Sequence, residues 1–335
     1  MDPSHTKFGG SLKVVSVQEL AKERLAEIPL RYIRPGLEPA AAAGPELQVP
    51  LIDMQKLLSD EFKQAELLKL HTACADWGFF QIINHGVSDG LLEELKRGTR
   101  EFFKLPAEEK QKFEQLEDEV EGYGQMFVTS EEQKLDWADM FYVVTLPTSL
   151  RRPHLLPKLP LTFREAVEAY SLEVKSLARK ISLALSESLE VDPSELEESL
   201  PELAVGLTPH SDSGCLTILL EVTDQSGLEI RKDGKLIPIR PMANAFVVNV
   251  GDVLEILSNG AYRSIEHRAV VNSEKERLSI ATFMMPGVDG VISPAPSLVR
   301  QDAPARFKRI GTVEYFRRFF SKELEGKSHL ENLKI

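Results

Sequence analysis

Apolar residues recur at three- and four-residue steps from Phe163 through Val167, Tyr170, Val174, Leu177, Ile181 and Leu185 to Leu189, which predicts one long helix over residues 161–190 ended by Pro193. The same spacing predicts helices over 11–30, 61–76 and 88–104. The second should bury Phe62, Ala65, Leu68 and Thr72/Ala73, and the third Leu91, Leu95 and Phe102/Phe103 behind Ser88 as N-cap. Residues 107–116 read as a short charged helix, and the tail beyond Thr312 as helical and charged. Between these lie strand-like runs at Val49–Asp53, Trp77–Ile83 (closed by the turn Asn84-His85-Gly86) and Trp137–Val144. Gly122 and Gly124 mark a loop, and residues 34–50, with four prolines and the run Ala40–Ala43, an irregular connector.

From Val205 the period changes to two. Leu216–Leu220, Gly227–Arg231, Lys235–Ile239, Ala245–Val250, Ser264–Val271 and Leu278–Phe283 are short β-rich pieces separated by turns, with a tight hairpin at Lys232-Asp233-Gly234. Many short strands at regular intervals predict a sandwich or barrel. The pattern divides the chain into an N-terminal helix and linker (1–46), a first mixed region (47–150), a long helix and connector (151–203), a β core (204–287) and a C-terminal helical tail (288–335).

Composition narrows the function. With 335 residues, 42% hydrophobic and 27% charged, the chain can bury a substantial core. The net charge of −12, from 40 basic and 52 acidic residues, repels phosphate backbones, and the lysines at 104, 110 and 112 alternate with glutamates, so nucleic acid is not expected as a partner. Cys74 and Cys215 are too few and too far apart for a disulfide framework or a zinc finger, and read as buried reduced thiols. Residues 1–10 lack the apolar core of a signal peptide, and the longest apolar stretches are too short to span a bilayer, so the expected compartment is the cytoplasm.

Only seven histidines occur. In His210-Ser211-Asp212 an imidazole and a carboxylate stand two residues apart, which on an extended strand aims both to one face; His267 follows after 267 − 212 = 55 residues, room for several strands to run out and return. Two imidazoles and one carboxylate on one face of a barrel can hold Fe(II) with three positions left open. Taken singly, His210 is equally a polar loop residue and His267 a surface residue beside Glu266 and Arg268. Ten residues further on, Arg277 and Ser279 share a face and offer three donors to a carboxylate, although Arg277 could instead pair with Glu274 or Glu276 at the surface. A zinc hydrolase with the same ligands is a weaker alternative, because no His-Glu-x-x-His helix is present.

Together these motifs resemble the plant 2-oxoglutarate- and Fe(II)-dependent dioxygenases. The resemblance runs through Trp77–Gly86, Phe102-Phe103-Lys104-Leu105-Pro106, Leu216-Thr217-Ile218-Leu219, Asn249-Val250-Gly251-Asp252, Ser264–Arg268 and Arg277–Ile280. Val17–Leu20, Glu121–Gln125 and Leu135–Asp139 are similar to the branch that contains codeine and thebaine O-demethylases and norcoclaurine-synthase-like dioxygenases. The resemblance implies a double-stranded β-helix (jelly roll) with flanking helices. It implies Fe(II) on His210, Asp212 and His267, and 2-oxoglutarate gripped by Arg277 and Ser279. It further implies O2 as co-reactant, ascorbate as reductant, succinate and CO2 as co-products, a small plant metabolite as substrate for hydroxylation or O-demethylation, and a monomer. His85 is structural in this scheme. Tyr123, Met126, Phe127 and Phe283 are candidates for the substrate wall, with core packing the alternative role of each.

One departure stands out. The tyrosine-containing segment that the family carries shortly before its His-x-Asp motif is absent here, with no tyrosine between Tyr170 and Tyr262. The expectation is a jelly roll lacking one strand before His210, and, as the alternative function, a metal-binding relative with impaired catalysis.

Overall fold

The computed structural model describes residues 11–23, 27–33, 48–116, 119–125, 128, 130–197, 202–206, 211–272, 275–320 and 328–335. The connector over 34–47, His210, Met126 and Phe127 lie outside them. In chain order the helices are α1 (Val17–Lys22), α2 (Met54–Leu57), α3 (Lys63–Thr72), α4 (Asp89–Phe103), α5 (Ala107–Gln111), α6 (Leu161–Leu189), α7 (Pro193–Glu197), α8 (Asp252–Leu257), α9 (Thr312–Phe320) and α10 (Ser328–Glu331). The strands are β1 (Leu51–Asp53), β2 (Phe79–Ile83), β3 (Gly122–Gly124), β4 (Met140–Leu146), β5 (Glu202–Gly206), β6 (Leu216–Glu221), β7 (Leu228–Lys232), β8 (Lys235–Pro238), β9 (Phe246–Val250), β10 (His267–Ala269), β11 (Ser279–Met285), β12 (Val291–Ile292) and β13 (Ile310–Gly311).

A large sheet of order β1-β2-β9-β6-β11-β5-β4-β3 forms the centre, and a smaller one, β10-β7-β8, packs on one of its faces. This is the jelly-roll architecture with flanking helices; among the described residues the strands do not close into a barrel. The alternation in β6 explains the layering. Leu216, Ile218 and Leu220 are buried with Val248 and Val250 in the main core, where α6 contributes Tyr170, Val174, Leu177 and Ile181. Tyr170 carries its hydroxyl to Thr282 of β11 at 3.2 Å, satisfying the one polar atom that a buried tyrosine brings. On the opposite face Phe79 and Val247 meet Leu228, Ile230, Ile237 and Ile239 of the small sheet.

The strand expected to be missing is present. Glu202–Gly206 pairs antiparallel with β11 (Ala281 opposite Gly206, Met285 opposite Glu202) and with β4 (Val143 opposite Val205). The short Leu203-Ala204-Val205 run supplies the backbone pairing that fills that gap, so a missing strand is no longer a ground for an impaired enzyme. Other expectations shift in detail. The N-terminal helix is only Val17–Lys22. Helix α3 buries Leu67 and Leu70, and Ala73 and Cys74 beyond its end, while Phe62 and Leu68 are exposed: of two possible apolar stripes, the one facing β1 and α6 wins. Gly122–Gly124 is a strand paired with β4, not a loop. Helix α6 ends because Glu190 turns left-handed (φ 55°), and Pro193 opens α7, a position where its missing N–H is harmless. Both cysteines are buried free thiols. No helix among the described residues is long and apolar enough to cross a membrane.

Candidate active site

Directly opposite residues in neighbouring strands share a face. Register therefore assembles one surface from Phe79 and Gln81 (β2), Asn249 and Val247 (β9), Thr217, Leu219 and Glu221 (β6), and Phe283, Ala281 and Ser279 (β11). Asp212, His267, Arg277, Ser279 and Phe283 gather on or beside it.

Asp212 sits in the buried turn that leads into β6. Its position is fixed by the β9–α8 junction: the Asp252 amide donates to the Asp212 carbonyl at 2.7 Å, Val253 to Gly214 at 3.0 Å, and the Tyr315 hydroxyl to the Ser213 carbonyl at 3.1 Å. Gly251 makes this closeness possible, since a Cβ there would overlap the Gly214 carbonyl and crowd that of Asp212. The carboxylate is oriented in turn. Its Oδ2 accepts from the Thr217 hydroxyl at 2.5 Å and from the Asn249 amide at 2.6 Å. Its Oδ1 faces His267 Nε2 at 3.9 Å.

His267 lies at the start of β10, opposite Ile230 of β7. Its ring packs edge-on to Phe79, with centroids 5.1 Å apart, and its Nδ1 is 3.2 Å from the Ile265 carbonyl. A Nδ1–H···O=C contact of this kind holds the ring in the orientation that presents Nε2. The neighbouring charges turn away: Arg268 pairs with Glu229 at 2.8 Å and Arg231 with Glu266 at 3.4 Å. The surface role that its sequence neighbours suggested is thus excluded, because the imidazole is only 10% exposed.

Asp212 and His267 are the described residues that would hold a cation here. An oriented carboxylate and a carbonyl-held imidazole are the donor types that suit Fe(II), and both carry the supporting hydrogen bonds that aim such donors. His210 lies outside the described residues, and among these there is no group of three potential metal ligands.

Farther along the same face, Ser279 stands opposite Glu221. Of the two surface partners expected for Arg277, Glu274 lies outside the described residues, and Glu276 accepts instead from Gln18. Arg277 Nη2 donates to Glu221 Oε1 at 2.5 Å. Burial pushes the Glu221 carboxyl up and Arg277 pulls it down, with burial prevailing. Arg277 Nε and Glu221 Oε2 are buried without a hydrogen-bond partner among the described residues. Orphaned charge-bearing atoms of both signs are costly, and they mark a place suited to a further polar guest.

Of the aromatic candidates, Phe283 stands opposite Thr217, which bonds Asp212, and packs with Met140, Tyr142 and Val144. Tyr123 does not join this wall. It is buried against Phe102 and Phe103 and hydrogen-bonds Ser16. His85 is structural: Nδ1 accepts from Val87 at 3.2 Å, and Nε2 lies 3.3 Å from the Asn244 carbonyl. Thr217, Asn249 and Glu221 carry the site without having been singled out from the sequence. The available signal was a polar residue interrupting an otherwise apolar strand.

Comparison with known proteins identifies the class. The 2OG-Fe(II) oxygenase superfamily profile matches residues 193–286, and that of the non-haem dioxygenase in morphine synthesis N-terminal region matches 49–159. The chain belongs to the 2OG-Fe(II) oxygenases, and it is accordingly an oxidoreductase that uses Fe(II), 2-oxoglutarate and O2, with ascorbate typical for the family. Among its relatives, the oxoglutarate-dependent flavonoid 7-O-demethylase 1 of Ocimum basilicum is 50% identical over 345 residues, covering 98% of this chain and 93% of the relative. Codeine O-demethylase of Papaver somniferum is 45% identical, covering 99% of both. The crystal structure of JOX2 in complex with 2OG, Fe and JA superposes with a TM-score of 0.84 at 34% identity, covering 97% of this chain and 98% of that one.

Proposed function

We propose that His210, Asp212 and His267 hold the iron, that Arg277 and Ser279 take the far carboxylate of 2-oxoglutarate, and that the enzyme hydroxylates or O-demethylates a small aromatic plant metabolite. The observation that carries this reading is the convergence of Asp212 Oδ1 and His267 Nε2, from segments 55 residues apart, to 3.9 Å on one face of the sheet. When bound, the metal supplies an oxidant for the substrate, coupled to conversion of 2-oxoglutarate and O2 into succinate and CO2. The chain's own residues orient the reactants. Thr217 and Asn249 hold Asp212, Phe79 and the Ile265 carbonyl hold His267, and Leu219 with Ala281 gives an apolar floor between the Asp212 end of the face and Arg277.

The substrate class rests on two supports. Phe283, opposite the Thr217 that holds Asp212, packs with Tyr142, Val144 and Met140 into an aromatic and apolar patch, and relatives 45–50% identical are named as O-demethylases of a flavonoid and of codeine. Removal of an O-methyl group would convert R–OCH3, 2-oxoglutarate and O2 into R–OH, formaldehyde, succinate and CO2. Residues 204–287 are the core of this reading, with 47–150 and 151–203 as its scaffold and 1–46 and 288–335 flanking it. Two buried reduced thiols support a cytoplasmic setting, and the net charge of −12 disfavours nucleic acid; a monomer is the expected form.

The test is incubation with Fe(II), ascorbate, 2-oxoglutarate and a panel of methoxylated and unsubstituted aromatic compounds. Succinate formed in step with formaldehyde supports O-demethylation, and succinate with a hydroxylated product supports hydroxylation. H267A should lose Mn(II) binding in calorimetry and R277A should retain it. Undiminished Mn(II) binding by H267A would overturn the ligand assignment.

A further inference from the structure

The guanidinium proposed to receive 2-oxoglutarate already holds a carboxylate of the chain itself. Glu221 lies at the end of β6, directly opposite Ser279, and its side chain is 13% exposed against 14% for Arg277. The pair is therefore nearly enclosed, and Gly227 closes one side: a Cβ there would come within 2.8 Å of Arg277 Cδ, so the arginine stem is held across the glycine. Alternation along β6 puts Glu221 on the same face as Thr217, the residue that orients Asp212. The ion pair thus occupies the Arg277–Ser279 end of the face that carries the proposed metal ligands, rather than the outer surface.

We infer that Glu221 is an internal competitor for the cosubstrate: its carboxylate occupies Arg277 in the free enzyme and sets how tightly a dicarboxylate binds there. The inference rests on the reading of Arg277 as the 2-oxoglutarate anchor. A carboxylate guest needs Arg277 donors, and one of them is committed to Glu221 while another, Nε, is buried without a partner among the described residues. A guest carboxylate beside Glu221 adds a like charge in a poorly hydrated place, which disfavours binding unless Glu221 turns away or takes up a proton. The tendency of burial to favour its neutral form eases that second route. Arg277 is the charged group that acts on Glu221. Arg100 of α4 donates to the adjacent Val222 carbonyl at 2.5 Å and not to Glu221.

Calorimetric titration of 2-oxoglutarate into the Mn(II)-loaded enzyme tests this without turnover. E221Q keeps the shape and a hydrogen-bonding group but removes the competing charge. It should bind 2-oxoglutarate about tenfold tighter than the parent enzyme, with Mn(II) affinity unchanged. R277A should bind 2-oxoglutarate at least tenfold more weakly. E221A serves as a second charge-removing variant, with folding followed by circular dichroism. If R277A weakens 2-oxoglutarate while E221Q and E221A bind it no better than the parent, Glu221 is a structural partner and the inference fails. Failure of both variants to fold has the same meaning. If R277A leaves 2-oxoglutarate binding unchanged, it is the anchor assignment beneath the inference that falls.

Discussion

A carboxylate that is to ligate a metal must present one chosen oxygen, and Asp212 is held to that choice by two donors on Oδ2, Thr217 and Asn249. Substituting either leaves the proposed ligands in place but loosens their aim. We expect N249A and T217V to weaken Mn(II) binding by about 10–100-fold in a titration, with a circular dichroism spectrum like that of the parent. His85 illustrates a different residue-scale effect. Burial holds its imidazole below the ordinary value, against the raising influence of the Asn244 carbonyl and Asp89. The unfolded chain then takes up the proton first as pH falls. The contribution of neutral His85 is complete above the unfolded value of about 6.5 and is lost as pH drops below it toward the folded value. Denaturant titrations should show stability falling with pH in that window, and H85N should flatten the slope. An unchanged slope would mean that another group controls it.

Short elements need anchors that the chain supplies from a distance. Helix α1 has six residues and no side-chain cap of its own from Ser16. Instead Asp139, just before β4, accepts from Ser16 Oγ at 2.6 Å, Val17 N at 2.9 Å and Gln18 N at 3.0 Å, placing negative charge at the helix N-terminus. Gln18 goes on to bond the buried Lys110 at 2.5 Å and Glu276 at 2.6 Å, so α1 is tied both to α5 and to the segment that carries Arg277. D139A should cost about 1–3 kcal/mol in urea unfolding and speed proteolytic cleavage around residues 17–22. Equal cleavage rates would show that α1 is held by other contacts. Strand β5 shows the converse case, because its place between β4 and β11 depends on backbone pairing, which many short apolar runs can satisfy.

At the scale of the whole molecule, the site draws on the turn before β6, on β9, on β10 and on the approach to β11, so ligands that bridge these parts should stabilise the fold by mass action. Mn(II) and 2-oxoglutarate, each at about 100 times its dissociation constant, should each add about 2.7 kcal/mol, read as a rise in Tm that EDTA reverses. No rise would argue against a shared site. Much of this was legible in the chain: the 3.6-residue period of α6, the Asp233-Gly234 hairpin, and the choice of Asp212 and His267, which the fold brings together. These follow from local geometry and from the narrow menu of side chains that bind iron. The buried face of α3, the strand at 202–206, the aim of Asp212 and the Glu221–Arg277 pair were not legible. Each depends on which surface a neighbour offers, or on register between strands far apart in sequence, and the one-dimensional pattern leaves several such choices nearly equal in energy. The sequence by itself determined the chemistry available to this protein, because residue type fixes donors and charge. Tertiary packing alone decided which of those donors face each other, since only burial against particular partners removes the alternatives.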